Sequence, residues 1–256
     1  MRIGIYGLGR FGSFWAELCS HLGTVCAFNR SQRPVPAGVE MVDLAGLTDC
    51  DVIFLCCAIS AMPAVCAGLA PLLKPGCLVM DTCSVKVWPV QQMLSAFPPE
   101  IEIIGSHPMF GPDSARDGVV GLPMVLSPVR SSAERFQHWF QIFAGLGLRT
   151  ISMTPDEHDR EAARTQGVTH FMGRIFAELG LRPSAIATVG YNRLTEVMEQ
   201  TCNDPWQLFV DLQYYNPHTA AMRADVLDAI NHLSRRLEAD RPIGAADPRL
   251  TGETLR

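Results

Sequence analysis

Three short segments of the chain gather residue types that can move a proton or hold an anion. One reads Gly105-Ser106-His107-Pro108-Met109-Phe110-Gly111-Pro112-Asp113. An unperturbed histidine titrates near neutral pH, which suits His107 to act as a general base. The alternative is a satisfied polar ring with no chemical duty. The junction between an apolar run and a Pro/Gly turn favours a ring held in one direction. A second segment, Asp81-Thr82-Cys83-Ser84-Val85-Lys86, sets Ser84 where its hydroxyl reaches His107 or a substrate, or else satisfies a turn amide. In the third, Asp159, Gln166, His170 and Arg174 follow spacings of 7, 4 and 4, one face of an α-helix. That stripe is either solvated or lines a pocket. If it lines one, Arg174 is the natural grip for a carboxylate, because its fork offers two parallel N–H groups. His158 falls one position off the face and ranks lower.

Positioning such groups requires a frame. Over residues 1–153, apolar runs alternate with amphipathic segments. Strands are expected at Arg2–Tyr6, Thr24–Asn29, Asp51–Cys57, Cys77–Asp81, Ile101–Ser106, Pro123–Ser127 and Arg149–Met153, with helices such as Phe11–His21, Ala61–Leu72 and Ala133–Gly145 between them. After Met153 the strand signal stops. Thr154 and Pro155 are placed to open a helix reaching about Leu179, and further helices are expected over Pro183–Thr201, Pro205–Tyr215 and His218–Glu238. The fold class is therefore α/β: a Rossmann-type, doubly wound, mostly parallel sheet over 1–153, followed by an all-helical domain over 154–240. Residues 241–256, rich in Pro, Gly and charge, read as a flexible tail.

The opening strand runs into Gly7-Leu8-Gly9-Arg10-Phe11-Gly12 and then a helix. A bare GxGxxG is weak evidence, but strand before and helix after is the context a dinucleotide loop requires. Gly7 allows the tight turn, Gly9 lets pyrophosphate approach the backbone, and Gly12 lets helix and strand pack. At the end of the second strand, where an acidic residue usually holds the ribose of NAD, the chain has Asn29-Arg30-Ser31, with Arg33 beyond. A carboxylate repels a 2′-phosphate, whereas these groups accept one, so NADP is favoured over NAD. The competing reading leaves Arg30 as a solvated loop residue.

Composition removes other classes. A net charge of −5 and the lack of any Lys/Arg-rich stretch argue against a nucleic-acid surface. The longest apolar run, Val52–Pro71, is broken by Ser60, Pro63 and Gly68, so no membrane span is expected. Nine cysteines, an odd number with no CxxC pair, give neither a disulfide framework nor a metal site. With a strand beginning at Arg2 and no leader, a reducing cytoplasm is expected.

Taken together, DTCSVK, GSHPMFGPD and EHDREAARTQGVTHFMGR resemble the prephenate/arogenate dehydrogenase family. The third segment, with the later GYNRLTEVMEQTCNDPWQLF, is most similar to plant-type arogenate dehydrogenases, and the likeness extends to about residue 238. The resemblance implies an NAD(P)-dependent oxidative decarboxylation in tyrosine biosynthesis, acting on a small cyclohexadienol. It implies His107 as base, Ser84 hydrogen-bonding near the reacting hydroxyl, His170 in the substrate pocket, and a homodimer through the helical domain. Asp159 and Asp113 are candidate partners for the ammonium that only arogenate carries. Many microbial prephenate-specific members have an arginine before the Asp-Pro pair, where this chain has Met198-Glu199 ahead of Asp204-Pro205. A β-hydroxyacid dehydrogenase would place a catalytic lysine in the helical domain, and no lysine follows Lys86. A non-catalytic NADP-binding sensor shares the fold, but has no need of Ser84, His107 and His170 together.

Overall fold

The computed structural model describes residues 1–242. The apolar run Arg2–Tyr6 (β1) passes through the glycine turn into helix α1 (Arg10–Cys19), and Thr24–Phe28 (β2) lies parallel to β1. Val39–Met41 (β3) extends that edge. It is a strand the sequence did not reveal, because three residues, two of them exposed, are too short to display an alternation. The short helix α2 (Leu44–Leu47), capped by Asp43, returns the chain to Val52–Leu55 (β4). A turn at Ile59–Ala61 opens α3 (Met62–Leu69), followed by Leu78–Asp81 (β5), α4 (Val87–Ala96) and Glu102–Pro108 (β6). Pro123–Arg130 (β7), α5 (Ala133–Gly145) and Arg149–Ser152 (β8) complete the sheet.

Eight strands lie in the order β3-β2-β1-β4-β5-β6-β7-β8. All pairings are parallel except β6 with β7. Both faces are covered, as the strand sequences require. In β4, Val52 and Phe54 join one core with Trp15, Trp139 and Phe143, while Ile53 and Leu55 join another with Met62, Val79 and Met93. Successive side chains point to opposite faces, so a strand apolar at every position must be sandwiched.

His107 lies inside β6, opposite Val125, rather than in the turn beyond it. The register also fixes where the chain leaves the sheet. Ser106 pairs with Leu126, and Leu126 with Ser152, so β8 ends level with the residue before His107. Helix α6 (Pro155–Ala162) starts from there. Thr154 accepts from the Glu157 amide while the Glu157 carboxylate accepts from the Thr154 amide, a full capping box.

The long helix expected to Leu179 is continuous but not uniform. Ala163–Gly167 forms a π turn before α7 (Val168–Glu178). Helix α8 (Val189–Cys202) begins later than the expected Pro183, at the Thr188 cap, whose hydroxyl accepts from Tyr191 N. Helices α7 and α8 pack so closely that a Cβ at Gly173 would stand 2.0 Å from Thr201 Oγ1. Helices α9 (Trp206–Tyr215) and α10 (Thr219–Ala239) follow. The helices dock on the sheet domain through Asp211, which accepts from Ser60 N and Oγ, and through Trp88 against Tyr215 at 4.9 Å. Most of the tail expected over 241–256 lies outside the described residues. Among those described, no helix is long and apolar enough to cross a membrane.

Candidate active site

A cavity of about 430 Å³ opens where the carboxyl ends of β1, β4, β5 and β6 meet the helical region. Ligands in open α/β sheets gather at that edge. The glycine turn forms one wall. Gly7 has φ +101°, and a Cβ there would stand 2.6 Å from Cys56 O. At Gly12 a Cβ would meet Gly7 O at 1.9 Å, so only glycine lets α1 lie on the turn. Gly9 borders open space and caps α1 with no side-chain bond to the first-turn amides. Arg10, Phe11 and Gly12 line the cavity beside it. An open cradle with uncapped helix amides fits the pyrophosphate of a dinucleotide.

Asn29 follows directly on β2. Its Oδ1 accepts from Leu8 N at 2.8 Å, and its amide nitrogen donates to Ser31 O. The oxygen therefore braces the glycine turn and the nitrogen holds the following loop, while Arg30 and Ser31 are exposed outside the cavity lining.

The floor holds the ionisable groups. His107, Ser84, Gln166 and His170 all line the cavity. Ser84 is half-buried, and its hydroxyl has no hydrogen-bond partner among the described residues. His107 is 2 % exposed, and its Nδ1 lies 2.8 Å from Nε2 of His158. His158 Nδ1 lies in turn 2.8 Å from Asp159 Oδ1. Burial holds His107 well below the usual histidine range, helped by the neighbouring His158, Lys86 and His170. Burial also lowers His158, against the upward pull of Asp159. His170 is pushed down to about 4, mainly by burial and then by Arg174. All three rings are neutral near pH 7. Both His170 Nδ1 and Gln166 Oε1 are buried at this wall with no protein partner, the state of groups built to meet a ligand.

Beneath the floor lies a buried ion pair absent from the sequence reading. Lys86 Nζ contacts Asp81 and donates to Ser106 O at 2.6 Å; both side chains are fully buried. Asp81 also accepts from Cys83 N and Ser106 N. The pair thus ties the turn carrying Ser84 to the strand residue before His107.

Two expected pocket residues are placed elsewhere. Asp159 is completely buried and accepts from Lys86 N at 2.6 Å and Val87 N at 2.9 Å. Arg174 donates to the carbonyls of Thr201 and Asp204 and lies over the rings of Trp206 and Phe209, so its guanidinium braces α7 against α8 and α9. For Asp159 the reason is the π turn, which adds a residue to one helical turn and rotates everything before it. The 7, 4, 4 spacing therefore does not define one face, and His158 turns toward His107 instead. No spacing rule applied to the sequence reveals a π turn. At the rim, Asp113 pairs with Arg10, which also reaches Asp204 at 3.7 Å, a residue the sequence reading did not include in the site.

The sequence has recognisable relatives. Residues 30–152 match the family model "Prephenate dehydrogenase, nucleotide-binding domain". Arogenate dehydrogenase 1 and arogenate dehydrogenase 2, both chloroplastic, of Arabidopsis thaliana are 36% and 33% identical, each over 85% of this chain. These matches make the chain similar to the prephenate/arogenate dehydrogenase family. It spans 36% and 64% of the lengths of those two relatives. Residues 175–244 also match the model "TYRAAT1-like, C-terminal domain".

Two solved family structures share the fold across almost the whole chain. Synechocystis arogenate dehydrogenase superposes with a TM-score of 0.67 at 23% identity, covering 94% of this chain and 92% of that one. Prephenate dehydrogenase from A. aeolicus, in complex with hydroxyphenyl propionate and NAD+, gives 0.73 at 16% identity with the same coverages. A mostly parallel sheet followed by helices is thus the architecture that these chains share.

Proposed function

We propose that this chain is an NAD(P)-dependent dehydrogenase that oxidatively decarboxylates prephenate, arogenate or both. The observation that carries the reading is His107: a buried, neutral imidazole with one nitrogen held by His158, on a cavity that the glycine turn also lines. A bound nicotinamide supplies the hydride acceptor. His107 takes the proton from the ring hydroxyl, Ser84 hydrogen-bonds beside it, and His170 and Gln166 meet the substrate's polar groups. As the ring carboxylate leaves as CO2, its C–C electron pair aromatises the ring, and His107 returns the proton to the ring oxygen. The atoms balance without a metal.

NADP is the favoured cofactor, because Asn29, Arg30, Ser31 and Arg33 present no carboxylate to a 2′-phosphate. Arogenate is the favoured substrate. Asp113, Asp204 and Asp211 line the cavity with Arg10 as the guanidinium among them, a balance that suits an ammonium group. The domain division falls between residues 153 and 154, and the helical part makes a homodimer. Leu227, Ile230, Leu233 and Leu237 on α10, at least 44 % exposed, form the apolar strip that a second copy would cover. Light scattering of the purified protein tests that assembly, and a monomer at micromolar concentration rejects it.

The primary test is steady-state reduction of NADP and NAD with prephenate and arogenate offered separately. Turnover with at least one substrate is expected, falling more than about 100-fold in His107→Asn. Binding of NADP with no turnover of either substrate would remove the enzymatic reading and leave a nucleotide sensor.

A further inference from the structure

An imidazole can act as a base only through the nitrogen that lacks a hydrogen, and a neutral ring has one such nitrogen. His107 must therefore carry its hydrogen on Nδ1 if Nε2 is to accept a proton from the cavity. The hydrogen bonds behind it determine that choice in sequence. Asp159 accepts from the amides of Lys86 and Val87 through its two oxygens, and a carboxylate used this way has no proton to give. His158 Nδ1, 2.8 Å from Asp159 Oδ1, is consequently the donor in that pair. With its hydrogen on Nδ1, neutral His158 presents a bare Nε2, 2.8 Å from Nδ1 of His107. His107 Nδ1 then donates, and its Nε2 is left as a lone pair. That nitrogen has no partner among the described residues, and His107 lines the cavity.

We propose that Asp159 and His158 are positioning residues that hold His107 in its Nδ1–H tautomer, so that the basic lone pair faces the substrate. This rests on the dehydrogenase reading for its consequence, though not for its geometry. The chain is also electrostatically apt. When Nε2 takes a proton, His107 becomes an imidazolium that keeps its bond to His158, and the Asp159 charge lies one ring away. No proton needs to reach Asp159. The arrangement joins the two parts of the molecule, because His107 is on the sheet while His158 and Asp159 are on α6.

The tautomer is measurable in the protein alone. Two-bond 1H–15N correlation spectra of the full chain, labelled at histidine, should show His107 protonated at Nδ1 and bare at Nε2. In His158→Leu that preference should be lost, with kcat down about 10- to 100-fold and the substrate KM within about threefold. His158→Gln, whose amide oxygen can accept from Nδ1–H, should recover part of kcat and the wild-type tautomer. Asp159→Asn is a poorer probe, since it unsettles two backbone amides as well. An Nε2–H form of His107 in the wild-type protein, or a His158→Leu variant with undiminished kcat, overturns the proposal. If neither substrate turns over while His107 is Nδ1–H in the wild type and not in His158→Leu, the dehydrogenase reading fails and the relay stands.

Discussion

The floor and the rim of the cavity use the same residue types to different ends. On the floor, Asp81, Lys86, His158 and Asp159 are buried, and each side chain is tied to backbone or to another buried group. At the rim, Arg10, Asp113 and Asp204 keep 44 %, 39 % and 29 % of their side-chain surface. Charges at the rim are screened by water and salt, and such pairs contribute little to stability. A buried charge is costly unless every partner is in place. The floor therefore holds one geometry, while the exposed rim charges can exchange partners with water and ions.

The largest effect should come from breaking the floor. Lys86→Met keeps the length of the side chain and strands a buried carboxylate, a loss of about 3–5 kcal/mol. Urea denaturation measures it. A double change, Lys86→Met with Asp81→Leu, should restore part of the loss, and no restoration would mean that Asp81 matters through its backbone bonds instead.

Acid should separate the two regions next. His107, His158 and His170 all have lowered folded-state values, the last falling from 6.5 to about 4. As pH falls below 6.5, the unfolded chain takes up protons that the folded protein refuses. Stability is thus fully present above that value and is lost on descending toward 4. The slope is up to about 1.4 kcal/mol per pH unit for each histidine. His170→Gln should flatten the urea midpoint between pH 6.5 and 4. An equally steep curve in that variant would show that other groups dominate.

A smaller loss is expected at the start of α6, where Thr154→Ala removes the cap of the helix that delivers His158. The cost is about 1 kcal/mol. Its thermal midpoint should drop while the His107 tautomer stays unchanged. Smallest of all is Arg10→Gln at the rim. It should alter stability by less than about 1 kcal/mol, and its effect on KM should fade as salt is raised. A salt-independent loss would place Arg10 in direct contact with a ligand.

The same division describes what the sequence made legible. Strands such as Val52–Leu55 declare themselves because a doubly covered strand is apolar throughout. The glycine turn is readable because Gly7 and Gly12 have no room for a side chain. His107 could be located because the end of a strand is a position that sequence can mark. The partner of His107 could not. Its identity depends on a π turn and on the register by which β8 ends beside Ser106, and both are relations between distant hydrogen bonds. Asn29 shows a similar limit: that its side chain braces Leu8 is a relation across 21 residues that no local pattern marks. Arg174 went astray because a guanidinium that grips carbonyls looks identical, in sequence, to one that grips a substrate.

The π turn at Ala163–Gly167 also makes residue count a functional quantity in this helix. Removing one residue between 163 and 167 would let an unbroken α-helix form, which local energetics favour. Relative to α7, the residues of α6 would then keep their facing, because the π turn is what absorbs the extra residue; relaxation of the π turn to α-helix at unchanged length would instead swing α6 by about 100°. In that relaxed helix His158 would leave His107 although no residue of the site had changed. A one-residue deletion here would therefore spare the contact, whereas a substitution that turned the π hydrogen bonds into α ones at unchanged length would disconnect the base from its support. Alignments of this segment should be gapped at the π turn before any histidine is matched across it.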